Sequence, residues 1–125
     1  MLEIHPIQDE NERKAYITEQ NLSLSAENTA VLRAYENDET TGNIAMTVEG
    51  LAQDAVLKIH AFDCADDFTG ELLIRAAVSY AFNHAIPKLE APKTLSNPLF
   101  AKVGFQDDAQ NISISTDKVV HFCKK

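Results

Sequence analysis

Residues 56–85 read VLKIHAFDCADDFTGELLIRAAVSYAFNHA, and their reading decides how this chain folds. The run DAVLKIHAF (54–62) sets Val56 opposite Leu57 and Ile59, the mark of a strand. From about residue 68 to residue 85 the spacing becomes helical. Leu72, Leu73, Ala76, Ala77, Tyr80 and Ala81 make one apolar stripe, and Ile74, Val78 and Phe82 make a second. Polar positions shrink to Glu71, Arg75, Ser79 and Asn83, so this helix should lie deep, between a sheet and a second layer. Pro87 ends it.

The loop between strand and helix raises the chemical question. A helix start after a strand is a usual seat for phosphate, because free N–H groups and the helix dipole both favour an anion. This loop carries Asp63, Asp66 and Asp67, with Glu71 in the first turn. At about 6 Å and an effective dielectric near ~20, each carboxylate costs a bound anionic charge roughly 3 kcal/mol, before solvent screening. No Lys or Arg lies between Lys58 and Arg75. The acids suit helix capping and the positive end of the dipole. They also suit attraction of a cationic group, or oxygen ligation of a divalent cation, although no EF-hand spacing is present. The expectation is no metal. Cys64 reads as a quiet thiol, since its acidic neighbours oppose the helix start's lowering of its pKa.

Working outward, residues 3–7 form a first strand. Asp9 then caps a helix with Glu12 in capping-box spacing, and that helix is predicted to reach about Leu24. AVLRAYEN (30–37) and GNIAMTVE (42–49) precede the 54–62 strand, joined by NDETTG and GLAQ. Such short links require an antiparallel meander. After the deep helix come a short strand at 88–91 and the helix PLFAKV, with Asn97 as cap, Pro98 at its first position and Gly104 as terminator. NISIS (111–115) and KVVHF (118–122) are predicted as the last two strands, linked through Thr116 and Asp117. The order is β-α-β-β-β-α-β-α-β-β: an α/β chain of the α+β kind, with a mixed sheet and helices on its faces.

At 125 residues this is one domain, 1–125, large enough for a core without disulfide or metal staples. The formal net charge is −8 and the 11 Lys and Arg are scattered, so nucleic acid is not an expected partner; an amine or other cation suits the charge better. The N-terminus MLEIHPIQDE has neither the basic region nor the apolar core of a signal peptide. No apolar run is long enough to span a bilayer. The two cysteines, Cys64 and Cys123, make no disulfide framework or zinc pattern. A cytoplasmic location without membrane attachment is expected, and a homodimer is compatible with the sequence.

Two segments resemble the GNAT superfamily, the GCN5-related N-acetyltransferases. LKIHAFDCADDFTGELL (57–73) is similar, without a gap, to that family's strand, [RQ]-x-x-G-x-[GA] loop and helix with a leucine pair, Leu72-Leu73 taking the pair's place. LFAKVGF (99–105) is similar to the later short helix that ends in Gly-Phe. The resemblance covers roughly residues 30–105 and implies a GNAT-like acyl-CoA N-acyltransferase fold. It implies acetyl-CoA as the acyl donor and a small-molecule or protein amine as acceptor. It places the donor against Ile59, His60 and Ala61, the loop Ala65, Asp66, Asp67, Phe68, Thr69 and Gly70, and Phe100. Backbone N–H groups of residues 59–61 would steady the reacting carbonyl.

The departures fall where chemistry should sit. Cys64 stands at the Arg/Gln position, and Asp67 and Thr69 stand at the two small-residue positions. Phe100 replaces the family's acid tyrosine and has no proton to give, and Lys93 stands where an asparagine is usual. The catalytic candidates are Glu49 and His60, either of which could be the general base depending on which faces the substrate cleft. His60 also reads as an edge histidine, and Glu49 as a solvated strand end. Two functions follow. One is an N-acetyltransferase with a degenerate donor loop; the other is a non-catalytic GNAT-like binding or regulatory module with weak or no CoA binding.

Overall fold

The computed structural model describes residues 1–95, 97–108 and 110–116. The strands are β1 (Leu2–Pro6), β2 (Thr29–Glu36), β3 (Glu39–Glu49), β4 (Val56–Cys64), β5 (Lys88–Pro92), β6 (Gln106–Asp108) and β7 (Asn111–Ser115). The helices are α1 (Glu10–Glu19), α2 (Asp67–Asn83) and α3 (Pro98–Val103). One seven-stranded sheet runs in the order β1-β2-β3-β4-β5-β7-β6. The meander β1 to β4 is antiparallel throughout, and β5 pairs parallel to β4. The parallel step requires the crossover that α2 provides.

Two cores flank the sheet. The larger buries Leu73, Ile74, Ala77, Val78 and Ala81 of α2 against Ile44, Met46, Leu57, Ile59 and Leu89. The smaller gathers Ile7, Tyr16, Val31, Ala45 and Ala61 under α1. Between Ala45 and Met46 the β3–β4 register slips by one: Ala45 faces Ala61, Met46 faces Ile59, and His60 is the extra residue of a bulge. The bulge lets Ile59 and Ala61 enter opposite cores.

Local chemistry explains where elements stop. Asp9 caps α1 through the N–H groups of Asn11 and Glu12. The helix stops at Glu19 and not near Leu24, because Asn21 turns left-handed (φ 59°) and the Leu22 N–H reaches back to the Ile17 carbonyl. The β2–β3 turn is only Asn37-Asp38, both at positive φ as a type I′ hairpin needs, so β3 starts at Glu39, three residues before the predicted Gly42. Helix α2 ends at Asn83, with Ala85 (φ 57°) in the left-handed position and the Ile86 N–H on the Ala81 carbonyl. Asn97 caps α3 and Gly104 (φ 125°) ends it, as predicted. The predicted strand NISIS is β7, and it pairs with the preceding Gln106–Asp108, a strand the sequence did not suggest, as well as with β5. The predicted strand 118–122 lies outside the described residues.

Gly70 of α2 has no room for a side chain. A Cβ there would sit 2.6 Å from Leu99 Cδ1, 2.7 Å from Cys64 Sγ and 3.2 Å from Phe62. Its bare Cα therefore lets α2 close on β4 and α3 together. Gly70→Ala should destabilise the protein by about 1–3 kcal/mol through overpacking, measured by urea unfolding. A neutral or stabilising result, the usual effect of Ala in an open helix, would show that nothing there is close-packed.

Candidate functional site

Strands β4 and β5 share three residue pairs, Val56–Lys88, Leu57–Leu89 and Lys58–Glu90. Past these pairs β4 continues to Cys64 and β5 to Pro92 without pairing to each other. The strands diverge, and the edge of β4 from residue 59 onward is left without a strand on that side. The segment Ile59, His60 and Ala61, with its bulge, borders this opening. It is the natural candidate site, because unpaired strand groups must find hydrogen bonds elsewhere.

The pairing ends at an ion cluster. Lys58 Nζ lies 2.8 Å from Glu90 and 3.9 Å from Glu49, and Lys88 lies 3.6 Å from Glu90. The Glu90 bond raises the pKa of Lys58, and Lys58 in turn holds Glu90 below the usual carboxylate range. Strand alternation puts Lys58, Glu90, Glu49 and Thr47 on the face opposite Leu57, Leu89 and Met46, away from α2. His60 joins them, with Nε2 2.7 Å from Thr47 Oγ1. Burial pushes the pKa of His60 down; the Glu49 carboxylate opposes this and Lys58 adds to it. Its imidazole is thus held neutral at neutral pH, able to take a proton. Both candidate bases share one face, but they differ in setting. His60 sits beside the β4 opening, while Glu49 lies at the far end of β3 with its side chain 57% exposed, close to Lys58. Thr47, the partner of His60, was not singled out in the sequence; its i, i+2 spacing from Glu49 on an alternating strand was the available signal.

The acidic loop separates into parts. Asp63 points into the α1 side, where it accepts hydrogen bonds from Tyr16 Oη (2.7 Å) and Asn43 Nδ2 (3.2 Å). Arg33 Nε donates to Asn43 Oδ1 at 2.6 Å. Burial first, and the Asp63 bond second, push the Tyr16 hydroxyl far above its ordinary pKa. Asp66 is the N-cap of α2, accepting from the Thr69 N–H at 2.8 Å, and its bonds from Thr69 hold its carboxyl low. Glu71 faces two cations, Arg75 at 3.0 Å and Lys102 of α3 at 3.0 Å. Lys102 is a charge that sequence distance concealed. Cys64 is pushed up by burial and then by Asp63, Asp67 and Asp66, so it is a poor nucleophile. Among the described residues no group of three acids, histidines or cysteines could hold a metal ion.

The remaining candidates divide. Thr69 and Gly70 are buried, so the Thr69 side chain does not stand over the loop. Phe68 is exposed beside Asp66 and Asp67, at the start of α2. Phe100, 1% exposed, packs edge-on against Phe62 (5.2 Å) and Phe105 (5.1 Å) as a core ring. Lys93 opens a 3-10 turn after β5, its N–H bonded to the Gln110 carbonyl.

The α2 start does not fit a diphosphate. Asp66 already takes the Thr69 N–H, the open side of the Gly70 Cα faces the core and not the loop, and the cations Arg75 and Lys102 are engaged by Glu71.

No family profile matches the sequence, and no curated protein is significantly similar to it. Solved structures are similar. A probable acetyltransferase of Staphylococcus epidermidis superposes with a TM-score of 0.74 at 16% identity, over 93% of this chain and 99% of its own. A GNAT-family acetyltransferase of Streptococcus pneumoniae gives 0.66 at 14% identity, over 92% and 99%. N-acetylglutamate synthase of Neisseria gonorrhoeae, complexed with coenzyme A and N-acetyl-glutamate, gives 0.65 at 16% identity over 93% of this chain and 35% of that one. The likeness is one of fold: the chain has the GNAT acyl-CoA N-acyltransferase fold. No helix among the described residues is long and apolar enough to cross a membrane.

The Tyr16–Asp63 bond joins α1 to the end of β4. Tyr16→Phe should cost about 0.5–1.5 kcal/mol, because it removes the hydrogen bond of a buried tyrosine to a carboxylate that water also reaches. Thermal unfolding of the variant measures this, and an unchanged midpoint would show that Asp63 is satisfied without Tyr16.

Proposed function

We propose that the protein transfers an acyl group, acetyl in the simplest case, from a pantetheine thioester to an amine at the β4–β5 opening. The single observation that carries this reading is the divergence of the two strands past Lys58 and Glu90, which leaves donors on β4 beside a neutral histidine. The thioester carbonyl would lie against the residue 59–61 backbone, whose N–H groups offset the negative charge that grows on its oxygen. The amine nitrogen attacks the carbonyl carbon, the C–N bond forms, and the C–S bond breaks. His60 takes the proton from the attacking nitrogen. That role needs the tautomer in which Nε2–H donates to Thr47 and Nδ1 keeps its lone pair. Glu49 favours the charge that His60 then carries. The leaving thiolate takes its proton from water, since Phe100 has none to give. Positioning of the two reactants supplies much of such a rate enhancement without a strong acid.

The acceptor fits the charge of the chain. A net charge of −8, with Glu49 and Glu90 on the acceptor face, favours an approaching ammonium group, carried by a small molecule or by a protein.

A second reading has its own support. Asp66 caps α2 where an anionic donor would place charge, which suits a binding module of the same fold with no transfer activity. Release of free thiol from acetyl-CoA and S-acetylpantetheine, with a panel of primary amines, separates the two. The transferase reading expects amine-dependent release; the binding-module reading expects no release from any amine, with weak or no binding of acetyl-CoA.

His60 gives the pH dependence its sign. Its folded pKa lies below the ordinary 6.5. The base is therefore competent at neutral pH and loses function as acidity protonates it, on a limb below about pH 6.5. His60→Gln should lower kcat/KM by about 10²–10⁴-fold and remove that limb, read from profiles of both proteins against one amine. An identical acid limb in the variant would rule His60 out as the base.

A further inference from the structure

The donor that the fold implies and the residues at the α2 start disagree, and the disagreement is specific. A phosphate seat at a helix start needs free N–H groups in the first turn. Here the Asp66 carboxylate accepts from the Thr69 N–H at 2.8 Å, so a negative group of the chain itself already sits at the helix start, and the Gly70 N–H belongs to the helix ladder through the Asp66 carbonyl at 3.0 Å. A glycine could still let a phosphate approach the backbone, but Gly70 turns its bare Cα toward Leu99, Cys64 and Phe62. Asp67 adds a second carboxylate in the first turn. Lys102 and Arg75, which could offset that charge, are both within 3.0 Å of Glu71.

The β4 opening imposes no such penalty. A pantetheine arm is uncharged and carries amides, so it can hydrogen-bond to the unpaired edge beyond Lys58 as another strand would. We infer that the cleft takes its acyl donor as a pantetheine thioester without a nucleotide diphosphate, because Asp66 supplies the anion at the α2 start from within the chain. This rests on the acyl transfer proposed above. Asp66 is here a specificity-determining residue: it leaves binding of the thioester arm untouched and discriminates against what the arm is attached to.

The test titrates the whole chain with S-acetylpantetheine and with acetyl-CoA, using wild type, Asp66→Asn and Asp66→Gly. Asparagine keeps a cap while removing the charge. Glycine frees the Thr69 N–H and is itself an accepted helix cap, and circular dichroism checks that α2 persists. Wild type should bind the two donors within about threefold of each other. Asp66→Gly should bind acetyl-CoA at least tenfold more tightly than wild type does, with S-acetylpantetheine unchanged, and Asp66→Asn should fall between. A tenfold or greater wild-type preference for acetyl-CoA would overturn the inference and leave the acyl transfer standing. So would a glycine variant with unaltered affinity for both donors. Binding of neither donor to any of the three proteins would overturn the acyl transfer itself, and the inference with it.

Discussion

The parallel pairing of β4 with β5 is the constraint on which the rest of this molecule depends. Two parallel neighbours cannot be joined by a turn, so the chain must cross over, and α2 is the crossover. Because the pairing lasts for only three residue pairs, the remainder of β4 stands open on one side. The Lys58–Glu90 contact at 2.8 Å sits at the last pair, where it fixes the point of divergence. Helix start, open strand edge and the face that carries Lys58 and His60 are thus three consequences of one strand arrangement.

Packing then decides what that arrangement can accept. Helix α2 lies close to β4 and α3 because Gly70 has no side chain, and Phe100 fills the space between Phe62 and Phe105. Positions that another chain of this fold could devote to phosphate or to proton donation are here committed to the core. The open edge of β4 is untouched by this, while the start of α2 is capped by Asp66.

Much of this was legible in the sequence. The helical spacing from Leu72 to Phe82, the alternation of Ile44, Met46 and Val48, and the Asn97-Pro98…Gly104 bracket all correspond to observed elements. Three boundaries were not. The left-handed residues Asn21 and Ala85 are weak local signals, and Asn37-Asp38 made a tighter turn than NDETTG suggested. Strand β6, Gln-Asp-Asp, is too short and polar to show any period; only pairing with β7 makes it a strand. The acidic loop was hardest to read. Its four carboxylates look alike in sequence, yet Asp63 meets a tyrosine 47 residues away, Glu71 meets a lysine on the next helix, and Asp66 bonds within its own turn. Partners so distant in sequence carry no local signature.

That distance has a consequence for how the site comes into being. The exit of β4 is held by Tyr16 and, through Asn43, by Arg33, so contacts of high sequence separation set where the loop begins. Closing such contacts is slow, because the chain between them must be ordered before they yield anything. Helix α2 rests on its own local periodicity, whereas the loop in front of it owes its shape to the amino-terminal helix on the opposite side of the sheet.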